Sequence, residues 1–282
     1  MKRFCVAVFL FSMVCLKSGG QNFQRYNLAD KDWFRYNPAR IAEDSSAVYT
    51  MAKYSFVSNE FYAENPLDIA VGATYVSPYG AFFLDLSHDG YSYYGRHGMQ
   101  LGYAYSFELP RGRLSVGAAA SLWFNRAQTD KLPYPELNKG VRMYYAPDLS
   151  LGLEWTYMGL RVGLGAANVV GTKSREGADV LMQNPRAIMA CASYDFSLPY
   201  ELHLKPMLQI GFCSSTSFDL GLGLGWRNVV DCSVTLRAME LIYMINAGVN
   251  VPGTKLSFTA TYTRAILHSQ QFVSAGICYR LK

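Results

Sequence analysis

The chain has 282 residues, of which 50% are hydrophobic, 15% aromatic and only 17% charged, with a formal net charge of +5. That charged fraction falls below the roughly one quarter usual in soluble domains, while the apolar content is too high for a disordered chain. After the N-terminus no apolar run reaches the roughly 20 residues that a spanning helix needs. The pattern that remains is the membrane β-barrel, in which apolar and polar residues alternate and never form a long run.

Met1-Lys2-Arg3 is a positive leader, Phe4–Leu16 an apolar stretch, and Ser18, Gly19 and Gly20 supply a small-residue cleavage site. Residues 1–20 are therefore expected to be a secretory signal peptide. Its removal takes Lys2, Arg3 and Lys17 from the 26 basic residues and none from the 21 acidic ones. The mature chain is close to neutral, which argues against a nucleic-acid partner. Cys5 and Cys15 leave with the leader. Cys191, Cys213, Cys232 and Cys278 stand singly, without CxxC or CxxH spacing, so neither a metal nor a cofactor is expected. Free thiols and a disulfide both remain open.

Residues 21–45 lack alternation and are expected to form a periplasmic or plug segment, carrying Asn37, Pro38 and Ala39. A transmembrane antiparallel β-barrel is expected over residues 46–282. About fourteen segments of about 9–13 residues follow, the length of a tilted membrane strand. Their centres fall near Tyr49, Val71, Phe83, Tyr103, Ala119, Leu151, Leu164, Ala192, Leu208, Leu222, Val234, Ile245, Ala260 and Ala275. Leu101, Tyr103, Tyr105, Phe107 and Leu109 oppose Gly102, Ala104, Ser106 and Glu108. Leu256, Phe258, Ala260 and Tyr262 oppose Ser257, Thr259, Thr261 and Thr263. Successive strand side chains point to opposite faces, so each segment has one greasy side and one weakly polar side.

Tight links recur at Ser77-Pro78, Pro110-Arg111-Gly112, Met158-Gly159, Leu198-Pro199-Tyr200, Arg227-Asn228 and Pro252-Gly253. They alternate with longer stretches at residues 57–67, 88–97, 126–146 and 170–185. Short periplasmic turns and longer outer loops are the asymmetry of outer-membrane barrels, and an even strand number leaves both termini in the periplasm.

Three groups of residues are candidates for function. Gly163, Gly165, Gly221, Gly223 and Gly225 form a small-residue inner face, open either to an occupant such as the N-terminal segment or to barrel curvature alone. Glu108, Glu154, Arg161, Asp195, His203, Lys205, Asp219, Asp231 and Arg237 fall on the same non-lipid face and are expected to pair near the rims. Tyr91, Tyr93, Tyr94, Arg96, Tyr134, Arg142 and Tyr144 lie in expected outer loops, where Tyr and Arg suit partner contacts. His88, His97, His203 and His268 carry no nucleophile or metal spacing, so no enzyme is expected.

An N-terminal Asn37-Pro38-Ala39 ahead of a barrel of about fourteen strands resembles the PorP/SprF family of type IX secretion system membrane proteins. Asp148 to Leu153 with Leu160 to Asn168, then Pro185 to Tyr194, Leu204-Lys205-Pro206 and Val234 to Arg237, are similar to that family's successive blocks. Thr261-Tyr262-Thr263 stands where the family has Ser-Tyr-Asp. The resemblance implies a Bacteroidetes outer-membrane protein without catalytic residues. Its implied partners are the outer-membrane bilayer, periplasmic secretion-motor proteins, and secreted surface cargo such as gliding adhesins. A FadL-like transporter for hydrophobic small molecules, which also combines an Asn-Pro-Ala hatch with a barrel, is the alternative. A structural surface barrel whose loops bind a ligand is a third reading.

Overall fold

The computed structural model describes residues 36–43, 45–56, 67–91, 94–128, 140–176, 179–213, 216–266 and 271–281. The expected signal peptide lies outside the described residues. Strands account for nearly all of the chain that is described: β1 (Ala47–Phe56), β2 (Leu67–Ser77), β3 (Gly80–Tyr91), β4 (Tyr94–Leu109), β5 (Gly112–Gln128), β6 (Val141–Tyr157), β7 (Leu160–Ala167), β8 (Lys173–Glu176), β9 (Asp179–Gln183), β10 (Ala187–Tyr194), β11 (Phe196–Leu198), β12 (Leu202–Phe212), β13 (Thr216–Trp226), β14 (Val230–Arg237), β15 (Ile242–Asn250), β16 (Leu256–Ala265) and β17 (Gln271–Arg280).

Fourteen of these close a barrel by antiparallel neighbour pairing, β8 and β9 form a separate hairpin, and the short β11 extends the edge of β12. Closure comes from β1 pairing with β17, with Ala47 opposite Arg280 and Phe56 opposite Gln271. A closed ladder has no edge, so every strand N–H and C=O finds a partner without water.

The predicted alternation is what closure turns into an inside and an outside. Leu101, Tyr103, Phe107, Leu151, Leu222, Phe258 and Ile277 point outward and are exposed. Their neighbours Ser115, Ser150, Ser257, Thr261 and Ser274 point inward and are buried. An exposed apolar belt of this extent is stable only against lipid. Aromatic pairs such as Trp155 with Tyr157 and Phe124 with Tyr145 flank it, as interfacial girdles do.

Each tight turn joins strands at one end, which is the periplasmic end by the short-turn rule. At Met158-Gly159, between β6 and β7, both residues take positive φ, 46° and 86°. That conformation matches the right-handed twist of a two-residue hairpin, and glycine adopts it without steric cost.

Two expectations change at the outer end. In place of the loop expected at residues 88–97, β3 and β4 stay paired through His88 opposite His97 to Tyr91 opposite Tyr94. Likewise β5 and β6 each run to 17 residues, beyond the expected 9–13, and narrow the loop expected at 126–146. These strands pass the lipid and continue as hydrogen-bonded ribbons. Once outside the bilayer they no longer need an apolar side, so alternation does not mark their ends. Residues 170–185 carry the β8–β9 hairpin.

Candidate functional site

The described N-terminal residues lie inside the barrel, against the inner faces of β2 to β6. Pro38 opens a 3-10 turn, Pro38–Glu43, where its missing N–H and fixed φ suit a first helical position. Asn37 caps the turn: its Oδ1 accepts from Ala39 N–H at 3.2 Å, and its backbone carbonyl accepts from Arg40 N–H at 3.0 Å.

The same asparagine ties the turn to the wall. Asn37 Nδ2 donates to the Leu153 carbonyl at 2.9 Å and to Glu154 Oε2 at 3.4 Å. Arg40 Nη1 donates to Glu154 Oε1 at 2.7 Å, and Arg161 Nε lies 3.4 Å from that oxygen. The Glu154 side chain has no solvent exposure, so its charge is held by these two guanidiniums and one amide. A buried carboxylate without them would be costly. Ile41 packs among Ala81, Phe83, Ala104 and Ala119, while Tyr36 packs with Ala167, Ala187 and Met189.

Glycines make the berth. A Cβ on Gly117 would strike the backbone of Pro38 and Ala39, and one on Gly152 would strike the Asn37 side chain. One on Gly165 would strike the Tyr36 carbonyl, and on Gly163 it would come within 2.9 Å of Asn37 Nδ2. The structure thus brings Asn37, Pro38 and Ala39 together with Gly163 and Gly165. It does not bring in Gly221, Gly223 and Gly225, which lie on β13 beside Met207, Lys205 and His203. Sequence reasoning did not single out Gly117 and Gly152. Both stand on the inner face of alternating segments, but only the position of the N-terminal turn distinguishes them from other inward glycines.

Charges elsewhere on the inner wall are also paired. Lys53 meets Asp68 at 3.2 Å, and Arg237 meets Asp219 at 2.9 Å. These pairs are buried, as is Glu154, and Arg237 stands at the end of its strand; exposed pairs such as Arg113 with Glu108 occur at a turn. Thr261 donates to Asn246 Oδ1 at 2.6 Å, which in turn donates through Nδ2 to Ser233 at 3.0 Å.

Nearer the outer end, Asp148 gathers the chain that follows β7. Its carboxylate accepts from Val170 N–H at 3.0 Å, Thr172 N–H at 3.2 Å and Asn184 Nδ2 at 3.3 Å. Arg96 donates to Asn184 Oδ1 at 3.2 Å and stacks over the Trp123 ring at 3.8 Å. Arg96, expected as an outer partner contact, is therefore engaged on the inner side. Tyr144 also falls on the inner face of β6, half-buried. Tyr91, Tyr94 and Arg142 lie in strands at the outer end, their side chains outside the description; Tyr93 and Tyr134 lie outside the described residues.

Toward the periplasmic end the barrel holds a cavity of about 780 Å³, with Arg161, Asp195, His203, Lys205, Asp231 and Arg280 among its lining. His203 Nδ1 lies 3.1 Å from Asp195 Oδ1. Among the described residues Cys191, Cys213, Cys232 and Cys278 form no disulfide; Cys191 and Cys213 are partly buried beside the Tyr36 cluster. Among the described residues no group of three or more His, Cys, Asp or Glu side chains is placed to hold a metal.

Comparison with solved structures finds outer-membrane barrels. The CymD monoaromatic hydrocarbon channel superposes with a TM-score of 0.60 at 10% identity, over 91% of this chain and 94% of that one. The outer membrane protein Omp33 of Acinetobacter baumannii gives 0.55 at 8% identity, over 85% and 99%. A FadL homologue of Pseudomonas aeruginosa gives 0.55 at 10% identity, over 94% and 96%. At these identities the likeness is one of fold. A search of curated proteins found no match. The family model described as type IX secretion system membrane protein PorP/SprF matches residues 50–280, almost the whole barrel. The chain belongs to the PorP/SprF family of outer-membrane proteins of the type IX secretion system.

Proposed function

We propose that this barrel is a noncatalytic docking component of type IX secretion, receiving exported surface proteins such as gliding adhesins and periplasmic secretion-motor proteins. The observation that carries this reading is the family match across residues 50–280. The interior supports it. The Asn37-Pro38-Ala39 turn takes up lumen space and acts as a plug, which suits a platform better than an open pore. Beneath it, the periplasm-facing cavity presents both signs of charge through Arg161, Asp195, Lys205 and Asp231. Charged walls of that kind give specificity for protein partners more than affinity for apolar molecules.

The fold likeness to the CymD hydrocarbon channel favours a second reading, transport of a hydrophobic small molecule. Sites for such ligands are lined predominantly by apolar and aromatic side chains with few polar groups, whereas this cavity sets Arg161, Asp195, His203, Lys205, Asp231 and Arg280 among its apolar residues. Deleting the gene separates the two. The first reading expects surface and secreted proteins to be retained inside the cell envelope, with restoration by the wild-type gene. Unchanged surface proteins, together with lost uptake of an aromatic hydrocarbon, would overturn it in favour of the second.

A further inference from the structure

We infer that His88 and His97 form a two-histidine site for a late divalent transition metal ion, Zn²⁺ or Cu²⁺, on the outer flank of the barrel. The two residues are directly opposed on β3 and β4. Side chains at opposed positions emerge on the same face with Cβ atoms about 4.5–5.5 Å apart. That face is the outer one: His88 continues the row Phe82, Leu84, Leu86, and His97 continues the row Leu101, Met99. In register beside them are Ile69 on β2 and Phe124 on β5. The pair therefore stands at the outer end of the lipid-facing belt, level with the Phe124 and Tyr145 ring pair.

The geometry is that of a chelate. The Nδ1 atoms are 3.2 Å apart while the ring centroids are 4.5 Å apart, so the rings converge on their Nδ1 edges. Zinc–imidazole bonds are about 2.0–2.1 Å. Two such bonds spanning that separation subtend about 100–105° at the metal, between the square-planar and tetrahedral angles. Hydrogen-bonded to each other, one imidazole must donate and the other accept. When a metal ion binds, the donor ring's proton passes from its Nδ1 to its own Nε2 through water, so that both neutral imidazoles offer an Nδ1 lone pair to the metal.

Two glycines seat the His88 ring. Gly90 and Gly95 oppose each other one step toward the hairpin tip on the same face. The His88 ring lies over them: a Cβ on Gly90 would stand 3.1 Å from His88 Nε2, and one on Gly95 4.0 Å from His88 Cε1. With no side chain at either position, the ring can lie flat there with its Nδ1 edge turned toward His97. Arg126 on β5 stands opposite Gly95 and its charge opposes any dication, so binding rests on the imidazole bonds, which are strong for late transition ions.

The test uses untagged full-length barrel in detergent, titrated calorimetrically with Zn²⁺ and followed in parallel by Cu²⁺ electron paramagnetic resonance. The expected result is one saturable site per chain, with superhyperfine coupling to two imidazole nitrogens. His88→Ala and His97→Ala should each weaken binding by about tenfold or more, the scale on which metal sites respond to lost support. Their double substitution should weaken it little further than either alone. His88→Gln and His97→Gln serve the same purpose should the alanine variants fold poorly, with heat-modifiable gel mobility as the folding check. Binding that persists unchanged in a folded single variant, or a spectrum with fewer than two nitrogens, would overturn the site.

Discussion

Replacing Arg40 by alanine tests how the N-terminal turn is held. The wild-type guanidinium lies 2.7 Å from Glu154 Oε1, with both side chains almost without solvent exposure. Removing one partner of a buried pair costs about 3–5 kcal/mol, because the remaining charge is left uncompensated. Here Arg161 at 3.4 Å and the Asn37 amide at 3.4 Å stay behind, which places the loss near the lower bound, about 3 kcal/mol. At 1.4 kcal/mol per tenfold, the undocked fraction of residues 36–43 should rise by about 100-fold. Hydrogen exchange read by mass spectrometry on the detergent-solubilised barrel measures this directly. Peptides covering residues 36–43 should lose protection, while β15 and β16, outside the β2–β6 wall that the turn packs against, keep theirs. Replacing Arg40 by methionine together with Glu154 by leucine should restore much of the protection, since an apolar pair needs no counter-charge. An Arg40→Ala variant whose turn exchanges within about threefold of wild type would refute the assigned role of the ion pair.

Gly152→Val should expel the turn through collision with the Asn37 side chain, giving the same exchange signature in a barrel that still resists cold SDS. Leu222→Arg, on the lipid face of β13, should destabilise the folded barrel by about 2–4 kcal/mol in a urea refolding titration with lipid vesicles. Thr261→Ala, on the inner face, should cost about 1–2 kcal/mol in that titration, the scale of one lost buried hydrogen bond. Asp148→Ala should speed exchange of the Val170 and Thr172 amides, whose bonds to a charged acceptor are each worth about 1.5–3 kcal/mol, without changing exchange in β12–β16.

The barrel was legible because its signal is local. Side-chain direction alternates within each strand, and all predicted centres, from Tyr49 to Ala275, fall within barrel strands. Turn chemistry was equally local: Met158-Gly159 and Arg227-Asn228 carry the residues that positive φ demands or tolerates. What stayed hidden depends on contacts between distant parts of the chain. Arg40 and Glu154 are 114 residues apart, and nothing in either one's neighbourhood names the other. Gly163 and Gly165 suggested an occupant through their proximity to each other. Gly117 and Gly152, as close to the turn as either, were each the lone inward glycine of a stretch that otherwise reads as ordinary alternation. Arg96 looked like a loop residue because the ribbon it belongs to leaves the membrane, where the period-two pattern no longer has a lipid face to report. The His88–His97 pairing was invisible for the same reason: a loop was expected where the strands remain in register.

The central claim is that this outer-membrane barrel holds its own N-terminal turn within its lumen, on the β4–β6 wall. A thiol cross-link tests it most directly. Cysteine is placed at Ile41 and at Ala104, which pack in one buried cluster, with Cys191, Cys213, Cys232 and Cys278 replaced by serine. Oxidation in intact envelopes is predicted to join the two positions in the folded, heat-modifiable species. A folded barrel in which they stay unlinked, while the thiol introduced in place of Ile41 reacts freely with a bulky water-soluble maleimide, would contradict the account.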